Sequence, residues 1–335
     1  MKQFLYLITA VILATTFVGC EGASPNTVVV YTALDEIYSK PILDAFTQET
    51  GIAVQAVYDT EAAKTTGLVT RLINETNRPR CDVFWNNEVA QTILLKDRGI
   101  LEAYAPVAAQ DIPAPYKDGE NFWTGFAARA RVLIYNTDQI EDPPTSIHDF
   151  LRPEYRGKCA VALPLFGTTA THAAALFSHW GDAKALDFFR ALKENEVAFV
   201  AGNGVVRDAV ARGEYAFGLT DTDDANGAME DGLPTKWLLP DQDALGTLLI
   251  PNTVALVKGS PNPTGGQQLI EYLLSPAVES RLAQSRSIQI PLNPKVEVPE
   301  NVPSITAIRR MPTTFEEMAA HMESTARQLR ELLVK

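Results

Sequence analysis

Three aspartates, Asp221, Asp223 and Asp224, stand within four positions in the stretch GLTDTDDANGA. Carboxylates this close repel one another, so a fold keeps them together only where a metal ion, an amine, an arginine or water compensates the charge. An EF-hand needs acids at loop positions 1, 3 and 5, Gly at 6 and Glu at 12. Counted from Asp221, position 5 is Ala225 and position 6 is Asn226. Counted from Asp224, position 5 is Ala228, so neither frame fits. A catalytic carboxylate pair finds no second acid placed by spacing to complete it. The cluster follows the strand-like YAFGLT, which leaves a ligand-facing turn or a solvated one.

A complementary chemistry stands in LPLFGTTATH. Gly167, Thr168 and Thr169 lie where a strand turns into a helix, so unpaired backbone N–H groups and the positive dipole end favour an anion there. A plain threonine cap is the other reading. Asn203 of GNG and the arginines of RAR, Arg129 and Arg131, offer further donors; an arginine fork suits phosphate or carboxylate, and equally a structural ion pair. His172 and His179, seven apart on one helix, read as surface or interface residues rather than a metal pair. Trp85, Tyr31, Tyr58 and Trp123 line a cleft or fill a core. Phosphate-loop, dinucleotide, nucleophile-elbow and zinc-protease signatures are absent, and GNGVVR ends in Arg207 where a dinucleotide loop needs glycine.

The elements that must position these residues alternate. TVVVYTA, IAVQAVY and DVFW read as strands, separated by helices at Ile37–Thr47, Ala62–Asn74 and Val89–Arg98. After ARARVLIYNTD the series restarts with CAVALP, VAFVA and YAFGLT as strands. Its helices are Thr168–Trp180, Lys184–Asn195 and Val205–Arg212. Leu245–Lys258 is a long extended run interrupted by Pro251, followed by helices at Gly266–Leu274, Ala277–Ser285 and Thr314–Leu333. Such alternation means α/β architecture with mostly parallel sheets covered by helices. Polar turns after five of the strands, in two series, imply one cleft between two lobes.

The chain has 335 residues, 46% hydrophobic and 21% charged, enough for two domains. A net charge of -12 excludes nucleic acid as a partner, since phosphate backbones require Lys/Arg patches. Met1–Gln3 is a short basic lead and Phe4–Phe17 an apolar run too short for a span, so residues 1–20 read as an export signal. Phe17–Cys20 resembles a lipobox, which makes Cys20 the acylated first residue of the mature chain; ordinary secretion with cleavage elsewhere is the alternative. Residues 21–26 are then a tether, and the body sits exported at a membrane surface, periplasmic or extracellular. Cys81 and Cys159 read as buried free thiols.

VVVYTALD, DVFWNNE, WTGFAARARVLIYN, GNGVVRDAVARGEYAFGLTDTDDA and IQIPLNP, in this order, resemble ABC-importer substrate-binding proteins of the ferric-ion, aminoethylphosphonate and phosphosugar group. The resemblance runs from Val28 to the C-terminal helix. It implies a two-lobe type II periplasmic-binding fold, with lobe 1 at 27–129 plus 253–295, lobe 2 at 130–252, and 296–335 assigned to neither. It implies crossings near Arg129–Val132 and Pro251–Val254. The positions of the iron-gripping tyrosine pair of such ferric binders correspond to Asp223 and Asp224. The early cleft residue corresponds to Asp35, and the acid near DVFW to Asn87 or Glu88. Gly167, Thr168, Thr169, Asn203 and Arg129 are then an anion end, and Asp35, Asp221, Asp223 and Asp224 a cation end. An aminophosphonate-type zwitterion comes first as cargo, with ferric ion, held by Asp223 and Asp224, close behind. The expected partners are a permease and its ATPase, the chain being a monomer without cofactor and not an enzyme. An anchored enzyme of the same fold and a solute-sensing receptor are the alternatives.

Overall fold

A computed structural model describes residues 26–59 and 66–334. The export signal, Cys20 and the first residues of the helix expected at Ala62–Asn74 lie outside the described residues. Apolar runs without helical period become the strands. β1 (Thr27–Thr32) and β2 (Ala53–Tyr58) pair in parallel and flank α1 (Glu36–Thr50). α2 (Thr66–Asn74), β3 (Val83–Asn86) and α3 (Val89–Asp97) continue the series, with β3 parallel to β1. A two-residue β4 (Leu101–Glu102) precedes β5 (Thr124–Asn136), which is 13 residues long. The second series is β6 (Cys159–Ala162), α4 (Gly167–Trp180), α5 (Asp182–Glu194), β7 (Ala198–Val200), α6 (Asn203–Ala211), β8 (Phe217–Asp221), α7 (Thr222–Glu230) and β9 (Thr235–Leu238). β10 (Leu249–Val257), α8 (Pro263–Leu273), α9 (Pro276–Gln284) and α10 (Phe315–Leu333) complete the chain.

Strand order is β2-β1-β3-β10-β5-β8-β6-β7, so β5 and β10 join the two series. Thr124–Ala130 of β5 lies against β10, and Arg131–Asn136 against β8 and β9, all antiparallel. Within each series the outer strands run parallel, which requires helical crossovers; β1, β3, β6 and β8 are buried almost throughout, while the edge strands β2 and β7 are only partly covered. The result is the mixed α/β architecture expected from the alternation, and it has the two-lobe type II periplasmic-binding form that the resemblance implies.

Where the two strands cross, the ladder breaks. The register shifts between Pro251 and Asn252, and Ala127 opposite takes φ 42, the left-handed region. A bulge accommodates the proline, which has no N–H to give a central ladder. A third segment braces the same point. Ala128 and Ile290 exchange backbone hydrogen bonds at 2.8 and 2.7 Å, and Asn252 donates to Gln289 at 2.7 Å.

α10 opens on a capping box formed by Thr314 and Glu317 and packs on α3, α4 and α5. Tyr31, Trp85 and Trp123 are buried in the core, whereas Tyr58 is only partly covered. His172 is buried too, 3% exposed, against its surface reading: it faces the inner side of α4, beneath which Phe188, Phe189 and Leu192 of α5 pack. Burial lowers its pKa to about 3, so it stays neutral. Cys81 and Cys159 are free, buried thiols, both pushed well up by desolvation. Among the described residues no helix is long and apolar enough to cross a membrane.

Candidate functional site

Four helices begin at one place because each follows a strand whose C-terminal end points there: α3 after β3, α4 after β6, α6 after β7 and α7 after β8. Phe166, Gly202 and Asp221 hold the N-cap positions of α4, α6 and α7, and none supplies a side-chain cap. The threonine-cap reading of LFGTT therefore does not describe the structure. Thr168 and Thr169 lie inside the first turn of α4, and their hydroxyls serve other partners.

Those partners centre on Asp221, 2% exposed at the end of β8. Its Oδ1 accepts from Arg131 Nη1 at 2.7 Å. Its Oδ2 accepts from Thr168 Oγ1 at 2.7 Å, Asn203 Nδ2 at 3.0 Å and Arg129 Nη1 at 3.4 Å. Arg131 Nη2 donates to Thr169 Oγ1 at 3.1 Å, and that hydroxyl donates to Asn203 Oδ1 at 3.1 Å. β5 places both arginines on one face, two residues apart. Burial alone would raise the Asp221 pKa, but Arg131 and Arg129 more than offset it and hold the carboxyl below its ordinary value.

The anion and cation ends expected from sequence are thus not apart. Thr168, Asn203 and Arg129, assigned to one, bond directly to Asp221, assigned to the other. The physical reason is charge balance: a buried carboxylate among helix starts recruits the nearest donors.

Asp223 and Asp224 belong to the first turn of α7 rather than to an open turn, where the dipole favours negative charge. One oxygen from each of Asp221, Asp223 and Asp224 lies within 4.8 Å of the others. Arg129 Nη1 stands 3.3 Å from Asp223 and donates through Nη2 to the Asn87 carbonyl at 2.6 Å. Burial works against the Arg129 charge, but Asp223, Asp221, Asp224 and Asp35 outweigh it and keep the guanidinium firmly protonated. Asp224 accepts from Thr220 at 3.2 Å and pairs with Arg207 at 3.6 Å. Burial, then Asp223 and Asp221, raise its pKa to about 7.

Asp35 is exposed at the start of α1 and reaches the site by charge, acting on Arg129 and Tyr38. Asn87 is 5% exposed and contributes its carbonyl. Glu88 is 1% exposed and does not face a cleft as an open acid. Its carboxylate caps α3 through Ala90 and Gln91 N–H at 2.9 and 3.0 Å and accepts from Thr171 of α4 at 2.7 Å. Gly167 starts α4 with φ 56, leaving open space where a Cβ would stand.

Sequence reasoning missed Tyr38, Thr171 and Arg207 as site neighbours. Helical spacing held the signal for two of them: Tyr38 is three residues after Asp35, and Arg207 four after Asn203. Chemically, the buried half of the site is charge-balanced, while Asp35, Asp223 and Asp224 are its less covered acids.

The chain is 23% identical over 312 residues to Iron uptake protein A1 of Synechocystis sp., covering 90% of this chain and 84% of that protein. It is 27% identical to a putative 2-aminoethylphosphonate-binding periplasmic protein of Salmonella paratyphi A, covering 72% and 70%. Iron-bound HitA from Pseudomonas aeruginosa superposes with a TM-score of 0.81 at 23% identity, over 90% of this chain and 99% of that one. Each of these is named for binding or uptake and none for catalysis. With residues 87–312 matching the family described as bacterial extracellular solute-binding protein, the chain belongs to that family.

Proposed function

We propose that the chain is the capture component of an ABC importer, and that its cargo is a small solute bearing an ammonium group, of the aminophosphonate type. The observation that carries this reading is the position of Arg129, 3.4 Å from Asp221 and 3.3 Å from Asp223. A guanidinium already shares those acids, so a trivalent ion would sit against a fixed positive charge, whereas an ammonium adds one charge and several hydrogen bonds. Asp223, Asp224 and Asp35 receive the ammonium. The uncapped starts of α4 and α6 offer backbone N–H groups to the phosphonate.

Lobe 1 is 27–129 with 253–295 and lobe 2 is 130–252. Cargo that touches both favours closure about the β5–β10 crossing. Cys20 carries the lipid anchor that holds the monomer at the membrane, where the closed form meets a permease and its ATPase. Ferric ion is the second reading, supported by the oxygens of three acids within 4.8 Å, a hard-donor set.

Calorimetric titration with 2-aminoethylphosphonate, ferric citrate and a sugar phosphate tests this. Saturable binding of the aminophosphonate, lost in Asp223→Asn, is the expected result. Tight ferric binding with no aminophosphonate heat would install the second reading, and silence with all three would remove both.

A further inference from the structure

The side chains gathered on Asp221 have the composition of an anion receptor. Two guanidinium groups, a hydroxyl and a carboxamide converge from β5, α4 and α6 on one carboxylate, with Arg131 fully buried and Arg129 7% exposed. Thr168 Oγ1 is itself held by Arg131 at 3.0 Å and Asn203 at 2.8 Å, so the donors brace one another as well as the anion. A structural aspartate needs one cation and a few donors; here donors from three separate elements close around both oxygens.

We propose that Asp221 is a resident anion: the four side chains form a carboxylate- or phosphate-type oxyanion site, and the chain fills it with its own carboxylate. The inference stands on this network alone. What it adds to the capture reading rests on that reading: no free anion is needed to complete the site, and the cargo's acidic group docks elsewhere than on these side chains. Asp221 is therefore a positioning residue that fixes which charge the cleft presents.

Removing the carboxylate should leave a vacancy that small free anions refill. Asp221→Ala is expected to melt about 5 °C or more below the parent chain, because buried Arg131 loses its carboxylate partner and Arg129 loses one of its two. Formate or acetate should then raise its melting temperature saturably, recovering half the loss or more, while chloride at equal ionic strength does not. The parent chain and Asp221→Asn, in which the space stays filled, should show no such formate response. A folded Asp221→Ala that responds alike to formate and chloride overturns the proposal, as does an equal response from the parent chain.

Should Asp221→Ala fail to fold, dilution from urea into formate against chloride gives the same reading. Folded protein recovered only in formate supports the resident anion, and recovery in neither overturns it. Cargo titration is scored separately. A parent chain that binds no member of the cargo panel defeats the capture reading while leaving the formate result intact.

Discussion

Glu88 and Thr171 join two helices that reach the site from opposite strand series, the threonine hydroxyl of α4 donating at 2.7 Å to the carboxylate that caps α3. Both are buried, at 1% and 0% exposure. Burial raises the Glu88 pKa, and the bonds from Thr171, Ala90 and Gln91 pull it back. Thr171→Val keeps the shape and removes the donor. Urea denaturation is expected to show a loss of about 1.5–3 kcal/mol, the range for a hydrogen bond to a charged group. A change under about 0.5 kcal/mol would mean that the tie contributes nothing.

Asp224 makes stability depend on pH. Its folded value of about 7 lies above the ordinary 3.8, so between those values the folded chain holds a proton that the unfolded chain has lost. Stability therefore falls as pH rises from about 4 to about 7. The three-unit gap corresponds to about 4 kcal/mol at most, and partial exposure of the carboxylate reduces this to about 1–2 kcal/mol. Asp224→Asn should flatten that slope in thermal melts taken from pH 4 to 8; a parent-like slope in the variant would assign the titration to another group.

The same carboxyl should report cargo. A positive group seated against Asp223 and Asp224 favours the ionised acid, so binding at pH 7 is expected to release about half a proton. Calorimetry in two buffers of different ionisation heat measures this directly. Equal apparent enthalpies in the two would place the cargo away from Asp224.

Arg286 bridges from the segment after α9 to α7, donating to the Gly227 carbonyl at 2.7 Å and pairing with Asp231 at 2.5 Å. Arg286 and Asp231 are each about half exposed, so Arg286→Ala should leave the melting temperature nearly unchanged. On the proposed lobe assignment the bridge ties lobe 1 to lobe 2, and cargo affinity is then expected to drop about three- to tenfold. Unchanged affinity would make the bridge a surface pair only.

Ala127 holds its left-handed backbone inside the β5–β10 bulge with no exposed surface. Valine there meets both a β-branched penalty and a packed core, so Ala127→Val should destabilise by about 2–3 kcal/mol. Ala127→Gly should stay within about 1 kcal/mol of the parent. Equal melts for all three would mean that the backbone there relaxes freely.

The strand–helix alternation was legible because period-2 and unbroken apolar runs are local properties: YAFGLT and CAVALP become β8 and β6 within a residue or two. The length of β5 and the pairing of β9 were not, since both depend on partners far along the chain. At the site, residue types pointed to the right neighbourhood, but the bond between Thr168 and Asp221 spans 53 positions and has no sequence signature. DTDD looked like a turn because acids repel. In the fold Asp221 turns inward to the arginines, while Asp223 and Asp224 sit on the dipole of α7.

The seam under α10 offers an optical handle. Met322 borders the gap shared by Glu88 and Gln91 of α3 and by Phe166, Gly167 and Ala170 at the start of α4. A dye on a cysteine substituted there would rest between helices of the two strand series, and under the proposed closure its colour should change as the gap widens. Because Cys81 and Cys159 are shielded from labelling reagents, a chain begun beyond Cys20 would take the dye at that one place, turning the seam into a sensor for whatever solute the protein carries.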